Sequence, residues 1–108
     1  MPNTQYQVVI MTAPNPEEAE KIAEALVTEG LAACVNIVEG CRSVYRWKGV
    51  TVKDAEVLML AKTHRNRFKD VEKRVSELHS YDVPEIIAVD LDNASDKYRG
   101  FLEGLLDK

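Results

Sequence analysis

Residues 31–47 read LAACVNIVEGCRSVYRW, a strand-forming run about three times the usual length of a strand. Its first half, LAACVNIV, is nearly all apolar, which is typical of a strand covered on both faces. Gly40 follows in the middle of the run, and a glycine inside a strand usually marks a bulge or a bend. The second half alternates, so that one face carries Arg42, Val44 and Arg46 and the other carries Ser43, Tyr45 and Trp47.

Three further apolar runs are typical of strands that share a sheet with this one. They lie at 5–12 (QYQVVIMT), 56–63 (EVLMLAKT) and 83–90 (VPEIIAVD). Pro84 has no main-chain N–H to donate, so the start of the last run must lie at a strand beginning or a sheet edge. Residues 48–54, KGVTVKD, read as the hairpin connection between the long strand and its successor.

Helices are predicted between and after these strands. Asn15 suits the N-cap of the first helix, Glu18 is spaced to complete a capping box, and Gly30 supplies a left-handed stop. A second helix is predicted over 65–79, and Ser95 caps a third. The order β-α-β-β-α-β, followed by a C-terminal helix, predicts an α+β sandwich of the ferredoxin-like kind.

Length and charge limit the class of protein. A chain of 108 residues predicts a single domain over 1–108. The net charge of −4, with acids and bases interleaved, argues against nucleic acid as a partner. No apolar run approaches the roughly 18 residues of a membrane span. Residues 1–7, MPNTQYQ, lack the basic and apolar regions of a signal peptide, so we expect a cytoplasmic protein with no membrane partner.

The two cysteines, Cys34 and Cys41, do not form an obvious disulfide. Seven residues of extended strand separate their Cα atoms by about 23 Å, whereas a disulfide needs them within about 7 Å. We therefore expect two reduced, partly buried thiols. Burial makes Cys34 unreactive, and Cys41 has no histidine near it in sequence. Whether either cysteine has a redox role stays open.

Four blocks of sequence identify a family. GLAACVNI (30–37), YRWKG (45–49), EVLMLAKT (56–63) and ELHSYDVPEI (77–86), in this order, resemble the CutA family of divalent-cation tolerance proteins. The resemblance covers nearly the whole chain. It implies a ferredoxin-like subunit that assembles as a homotrimer, and it implies a link to copper and other divalent cations without a required cofactor.

The long strand gives separate support for a trimer. Strands two and three run past the length that one small sheet can pair, and the overhang carries Tyr45 and Trp47, the only tryptophan. Unpaired edges with exposed aromatic residues usually need a cover. A strand of a neighbouring subunit supplies one, so we expect trimerisation through this extended hairpin.

The resemblance also directs attention to His79. Copper sites in bacterial members of the family use a cysteine at the end of the first strand and two adjacent histidines. Met11 lies at the position of the cysteine and Leu78 at that of the first histidine, so that His79 alone is kept. A thioether binds Cu(I), and the predicted metal ligands are therefore His79 and Met11. A structural role for His79 is the alternative. His64 lies in a basic segment and reads as a solvated loop residue.

Catalytic patterns are weak in this sequence. Asp82 and Glu85 flank Pro84, and a carboxylate pair can share acid–base work. At a strand start, however, we expect one carboxylate to pair with a base such as Lys62. No phosphate-binding glycine loop occurs. We therefore predict that the protein is not an enzyme.

A binding pocket or an interface between subunits is the remaining interpretation. The candidate residues belong to the blocks that resemble the family, are polar or aromatic, and lie near the ends of elements: Tyr45, Trp47, Lys62, Tyr81 and Glu85. Aromatic walls with a few polar groups suit a small-ligand site and a subunit interface equally well. The first function hypothesis is a binding or regulatory protein in divalent-cation tolerance. The alternatives are a small-molecule-sensing trimer with an inter-subunit cleft, and a structural or assembly protein.

Overall fold

The computed structural model describes residues 5–107, so residues 1–4 and 108 of the predicted domain lie outside the described residues. The strands are β1 (Tyr6–Ala13), β2 (Cys34–Trp47), β3 (Val50–His64) and β4 (Ile86–Asp90). The helices are α1 (Pro16–Thr28), α2 (Phe68–Leu78), which follows a 3₁₀ turn at Arg65–Arg67, and α3 (Asp96–Leu106). The strands form one antiparallel sheet in the order β2-β3-β1-β4. The predicted ferredoxin-like α+β fold is therefore confirmed.

Helices α1 and α2 cover one face of the sheet. Alternate residues of β1 and β3 point to this face, among them Met11 and Met59, and pack against Leu26 of α1 and Val75 of α2. Helix α3 packs separately, with Leu102 and Leu106 against Tyr6 and Ala33. Because Tyr6 has the opposite parity to Met11 on β1, α3 lies on the other face of the sheet and covers only one end of it.

The predicted ends of α1 are confirmed, with one correction. The Asn15 side chain accepts a hydrogen bond of 2.8 Å from the main-chain N–H of Glu18, and Gly30 follows the helix with φ of +74°. The predicted capping box is wrong, because the Glu18 carboxylate instead accepts hydrogen bonds from Ser80. The side chain thereby joins α1 to the segment after α2.

Beyond the sheet, β2 and β3 continue as a two-stranded hairpin, here called the arm, which comprises residues 41–56. Strand β1 ends at Ala13 opposite Val57, so residues 41–47 and 50–56 pair only with each other. The register shifts between Val38 and Cys41, and Gly40 has φ of +88°, as the predicted bulge requires. The predicted overhang of both strands is confirmed.

The connection at the tip of the arm is shorter than the sequence predicts. Lys48 and Gly49 alone form the turn, with φ of +50° and +80°, the signs that a two-residue type I′ turn needs. Residues 50–54 belong to β3 and pair back to Ser43, so the predicted 48–54 connection is wrong. The physical reason is that VTVK alternates and is rich in β-branched residues, which suit a strand.

The start of β4 also differs from the prediction. The strand begins at Ile86 rather than at residue 83. Pro84 cannot donate to the sheet, and residues 79–85 form a loop between α2 and β4, here called the α2–β4 loop. Of the helices in the described range 5–107, none is long and apolar enough to cross a membrane.

Candidate functional site

A cavity of about 400 Å³ opens between the arm and the α2–β4 loop. We call it the arm cleft. Its lining residues are Thr12, Tyr45, Trp47, Glu56, Tyr81, Asp82, Val83 and Glu85. Four of the five residues predicted for a pocket or interface are therefore brought together within one subunit, from two elements that are far apart in sequence.

Lys62 is the predicted residue that the structure places elsewhere. It lies on β3 opposite Cys34 and Val8, and it does not line the arm cleft. Its ammonium group donates a hydrogen bond to the side-chain oxygen of Asn36. The expected pairing of Lys62 with Asp82 or Glu85 is therefore wrong within the subunit, because six positions of extended strand separate Lys62 from Glu56 at the cleft.

Two tyrosines in and beside the cleft donate hydrogen bonds to carboxylates. The Tyr81 hydroxyl donates to Glu56 Oε2 at 2.9 Å, and the Tyr45 hydroxyl donates to Asp54 Oδ2 at 2.5 Å. Burial, and then the bond to Glu56, raise the pKa of Tyr81, whereas the bond to Asp54 is the main reason that the pKa of Tyr45 is raised. Both phenols stay protonated at neutral pH, and each bond fixes the position of its hydroxyl.

His79 anchors the α2–β4 loop without lining the cleft. Its side chain is only 1% exposed, and its ring lies 4.7 Å from that of Tyr81. Nδ1 accepts a hydrogen bond of 3.0 Å from the Tyr81 N–H, and Nε2 is 2.7 Å from the main-chain oxygen of Thr12. Glu18 Oε2 lies 3.4 Å from Nδ1. Both ring nitrogens therefore have partners that hold the loop in place.

The predicted metal ligands can be tested for fit in this geometry. Met11 is fully buried in the main core, and both nitrogens of His79 are engaged in hydrogen bonds. Across residues 5–107, no group of three or more His, Cys, Asp or Glu side chains is arranged to hold a metal ion. Within the single subunit, His79 and Met11 do not fit a copper ion, and their role as ligands stays a prediction.

The remaining candidates for chemistry lie apart from one another. Cys34 and Cys41 are both free thiols of intermediate exposure, as expected, and Cys41 Sγ lies 3.9 Å from Ser43 Oγ. His64 ends β3 rather than standing in a loop, and its ring packs edge-on against Tyr6 at 5.4 Å. Among the described residues that line the arm cleft, neither a histidine nor a cysteine occurs.

Sequence reasoning missed Glu56 and Glu18. Glu56 is only 8% exposed and lies opposite Cys41, on the side of the arm that carries Tyr45 and Trp47. The register of the hairpin is the signal that places it there, and the turn at 48–49 fixes that register. Glu18 bonds to Ser80 across 62 positions of sequence, and no local pattern announces such a contact.

Comparison with known proteins settles the family. A family model described as CutA1 divalent ion tolerance protein matches residues 7–104 of this chain. The chain belongs to this family. It is 48% identical over 96 residues to the divalent-cation tolerance protein CutA of Thermus thermophilus, with 89% of this chain and 93% of that protein covered. Neither the family nor this relative is named as an enzyme.

Members of the family share this fold but differ in length. A solved structure of the Thermus thermophilus Cut A1 protein superposes with a TM-score of 0.90 at 46% identity, covering 94% of this chain and 98% of that chain. The chloroplastic CutA protein of Arabidopsis thaliana is 45% identical over 96 residues, with 89% of this chain covered. This CutA1 family chain spans 53% of that plant protein's length.

Proposed function

We propose that this chain acts as a cytoplasmic homotrimer in divalent-cation tolerance, and that it binds or regulates rather than catalyses. The observation that carries the proposal is the arm cleft. It holds three carboxylates, from Glu56, Asp82 and Glu85, and neither a histidine nor a cysteine occurs among its described lining residues. Such a site attracts cations, and the aromatic rings beside the carboxylates suit binding.

The uncovered face of the sheet supports self-association. Val38, Ile87 and Val89 are 45–52% exposed on the face that α3 leaves open. The register places Ile87 beside Ile10, and Val38 beside Leu58. A contiguous apolar face of this kind usually marks a protein interface. A three-fold assembly that packs these faces together buries them, and it leaves each arm next to a neighbouring subunit.

Sedimentation equilibrium tests the assembly. We expect a mass of three subunits for the wild-type chain at micromolar concentration. Ile87→Glu places a charge in the proposed interface and is expected to produce monomers, whereas Val27→Glu, at a similarly exposed apolar position on α1, is the matched control that keeps the trimer. A wild-type monomer overturns the proposal.

Calorimetric titration tests the link to divalent cations. We expect Cu(II), or Cu(I) under reducing conditions, to bind the wild-type chain with a Kd below about 100 µM, which corresponds to a free energy of binding near 5.5 kcal/mol. His79→Ala and Met11→Leu test the predicted ligands, and Glu85→Gln tests the cleft. Absence of heat from any divalent cation removes the binding role. Unchanged affinity in His79→Ala removes His79 from the ligand set.

A small-molecule-sensing trimer is the second candidate, and the size of the arm cleft favours it. A volume of about 400 Å³ falls in the range of small-ligand sites, and Tyr45, Trp47 and Tyr81 provide aromatic walls. A thermal-shift screen of metabolites separates the two candidates, because a true ligand raises the melting temperature in a concentration-dependent way.

Fractionation of cells that express the full chain tests the cytoplasmic location.

A further inference from the structure

The two faces of the arm differ sharply in charge. Paired residues of an antiparallel hairpin point to the same side, so the pairs Ser43–Asp54 and Cys41–Glu56 lie on the face of Tyr45 and Trp47. The basic residues of the arm's strands belong to the opposite face, where the register places Arg42, Arg46 and Lys53. The cleft face of the arm is therefore aromatic and anionic.

The α2–β4 loop continues the same chemistry on the other wall of the cleft. It contributes the Tyr81 ring and the carboxylates of Asp82 and Glu85. Among the described residues that line the cleft, none is a lysine, arginine or histidine. A ligand that enters this cleft meets negative charge from both walls, and an anionic ligand such as a nucleotide phosphate is repelled.

Three aromatic rings line the cleft. The bonds of Tyr45 to Asp54 and of Tyr81 to Glu56 hold the hydroxyl ends of two of these rings in place. The third ring, that of Trp47, already has a cation beside it, since Lys48 Nζ lies 6.0 Å from the ring centroid. Attraction of an ammonium group to an aromatic face operates within about 6 Å, and tryptophan is the most effective ring.

We propose that the arm cleft binds a small organic cation, with a methylated or quaternary ammonium group held against the rings of Tyr45, Trp47 and Tyr81. The inference rests on the proposed binding function and adds a ligand class to it. The carboxylates supply the countercharge, and the rings supply a surface that can desolvate alkyl groups on nitrogen. The cleft is too large for a lone metal ion to fill, and its carboxylates are not arranged as a metal centre among the described residues.

A pair of nearly isosteric probes separates charge from shape. Choline carries the quaternary ammonium group, and 3,3-dimethylbutan-1-ol replaces its nitrogen with carbon and is neutral. Trp47 is the only tryptophan, so its fluorescence reports directly on the cleft, and calorimetry gives the affinity independently. We expect choline to bind the assembled wild-type protein at least about tenfold more tightly than the neutral alcohol.

Matched variants locate the site. Glu85→Gln keeps the shape of an exposed side chain and removes its charge, and Trp47→Leu removes the ring; each is expected to weaken choline binding by about three- to tenfold. Glu24→Gln removes an exposed charge on α1, away from the cleft, and is expected to leave the affinity unchanged.

Two results overturn the inference. If choline and the neutral alcohol bind with equal affinity, the pocket is merely apolar. If Glu85→Gln and Glu24→Gln lower the affinity for choline equally, the effect is one of net charge. If choline fails to bind while a divalent cation still gives binding heat, the organic-cation inference falls and the proposed function stands. If both fail to bind, the proposed function falls as well.

Discussion

His79 Nε2 donates a hydrogen bond of 2.7 Å to the main-chain oxygen of Thr12, at the end of β1. The direction follows from the other ring nitrogen, because the Tyr81 N–H donates to Nδ1, which must therefore be unprotonated. The neutral tautomer with its hydrogen on Nε2 thus connects the sheet to the α2–β4 loop. The same loop forms one wall of the arm cleft, so the imidazole supports the cleft without lining it.

His79→Ala is expected to destabilise the protein through the two groups that it leaves unpaired. The oxygen of Thr12 and the N–H of Tyr81 both lose their side-chain partner, and each buried unsatisfied group costs about 1–3 kcal/mol. We expect a loss of about 2–4 kcal/mol in the free energy of unfolding. Urea denaturation in buffer with a metal chelator measures it.

His64→Ala is the matched control for this prediction. Its Nδ1 accepts from the Asn66 N–H, which is exposed and can bond to water instead, so we expect a loss below about 1 kcal/mol. A destabilisation of His79→Ala that appears only when copper replaces the chelator contradicts the structural role and supports a metal role.

Glu18 and Glu17 provide a second matched pair. Both lie in the first turn of α1, where an acidic side chain favours the helix N-terminus. Only Glu18 accepts hydrogen bonds from Ser80, at 3.0 Å from its N–H and 3.1 Å from its hydroxyl. Hydrogen bonds to a charged group contribute about 1.5–3 kcal/mol. We therefore expect Glu18→Ala to lower the free energy of unfolding by about that much more than Glu17→Ala does. Equal losses contradict an anchoring role for Glu18.

Much of the fold could be predicted from sequence because its signals are local. The cap at Asn15, the stop at Gly30 and the bulge at Gly40 each depend on a few neighbouring residues, and the structure confirms all three. The length of the arm is predicted by residues 31–47, a strand-forming run too long for one small sheet to pair. The error at 48–54 arose because lysine, glycine and aspartate there are typical of a loop, whereas pairing with the opposite strand decides the outcome.

The candidate site was predictable only in part because it depends on contacts between distant residues. Tyr45, Trp47, Tyr81 and Glu85 are indicated by the blocks that resemble the family and by their residue types and positions at element ends. To predict Glu56 as a site residue, one must know the hairpin register and the course of the α2–β4 loop, since the Tyr81 hydroxyl donates to its carboxylate across 25 positions. Lys62 lies on β3 outside the cleft of one subunit, and its place at a pocket or interface between subunits stays a prediction.

Two glycines are expected to respond to alanine with opposite signs. Gly49 has φ of +80° in the turn of the arm, so Gly49→Ala is strained although its Cβ meets no atom within 4 Å. We expect a cost of about 1 kcal/mol. Gly100 lies within α3 with equally open space around a Cβ, and Gly100→Ala is expected to stabilise by up to about 1 kcal/mol. Melting temperatures of the two variants check the signs, and a shift in the same direction for both contradicts the backbone argument.

The buried Tyr6 hydroxyl makes the stability fall at alkaline pH. It donates to both carboxylate oxygens of Asp107, at 2.9 and 3.0 Å, and burial followed by this hydrogen bond raises its pKa from 10.0 to about 12. The folded state therefore holds the phenolic proton more tightly than the unfolded state. The resulting stabilisation is complete below pH 10 and is lost as the pH rises towards 12.

Tyr6→Phe removes the phenolic proton, so the difference in stability between this variant and the wild-type protein isolates the titration of Tyr6. At neutral pH the variant is expected to be less stable by about 1 kcal/mol, the usual contribution of one hydrogen bond. Between pH 10 and 12 the wild-type protein should lose this advantage, because the phenol deprotonates at lower pH in the unfolded state than in the folded state. Urea unfolding of both proteins at a series of pH values gives the difference directly, and any other alkaline titration is common to both. Parallel curves over this range contradict the assignment to Tyr6.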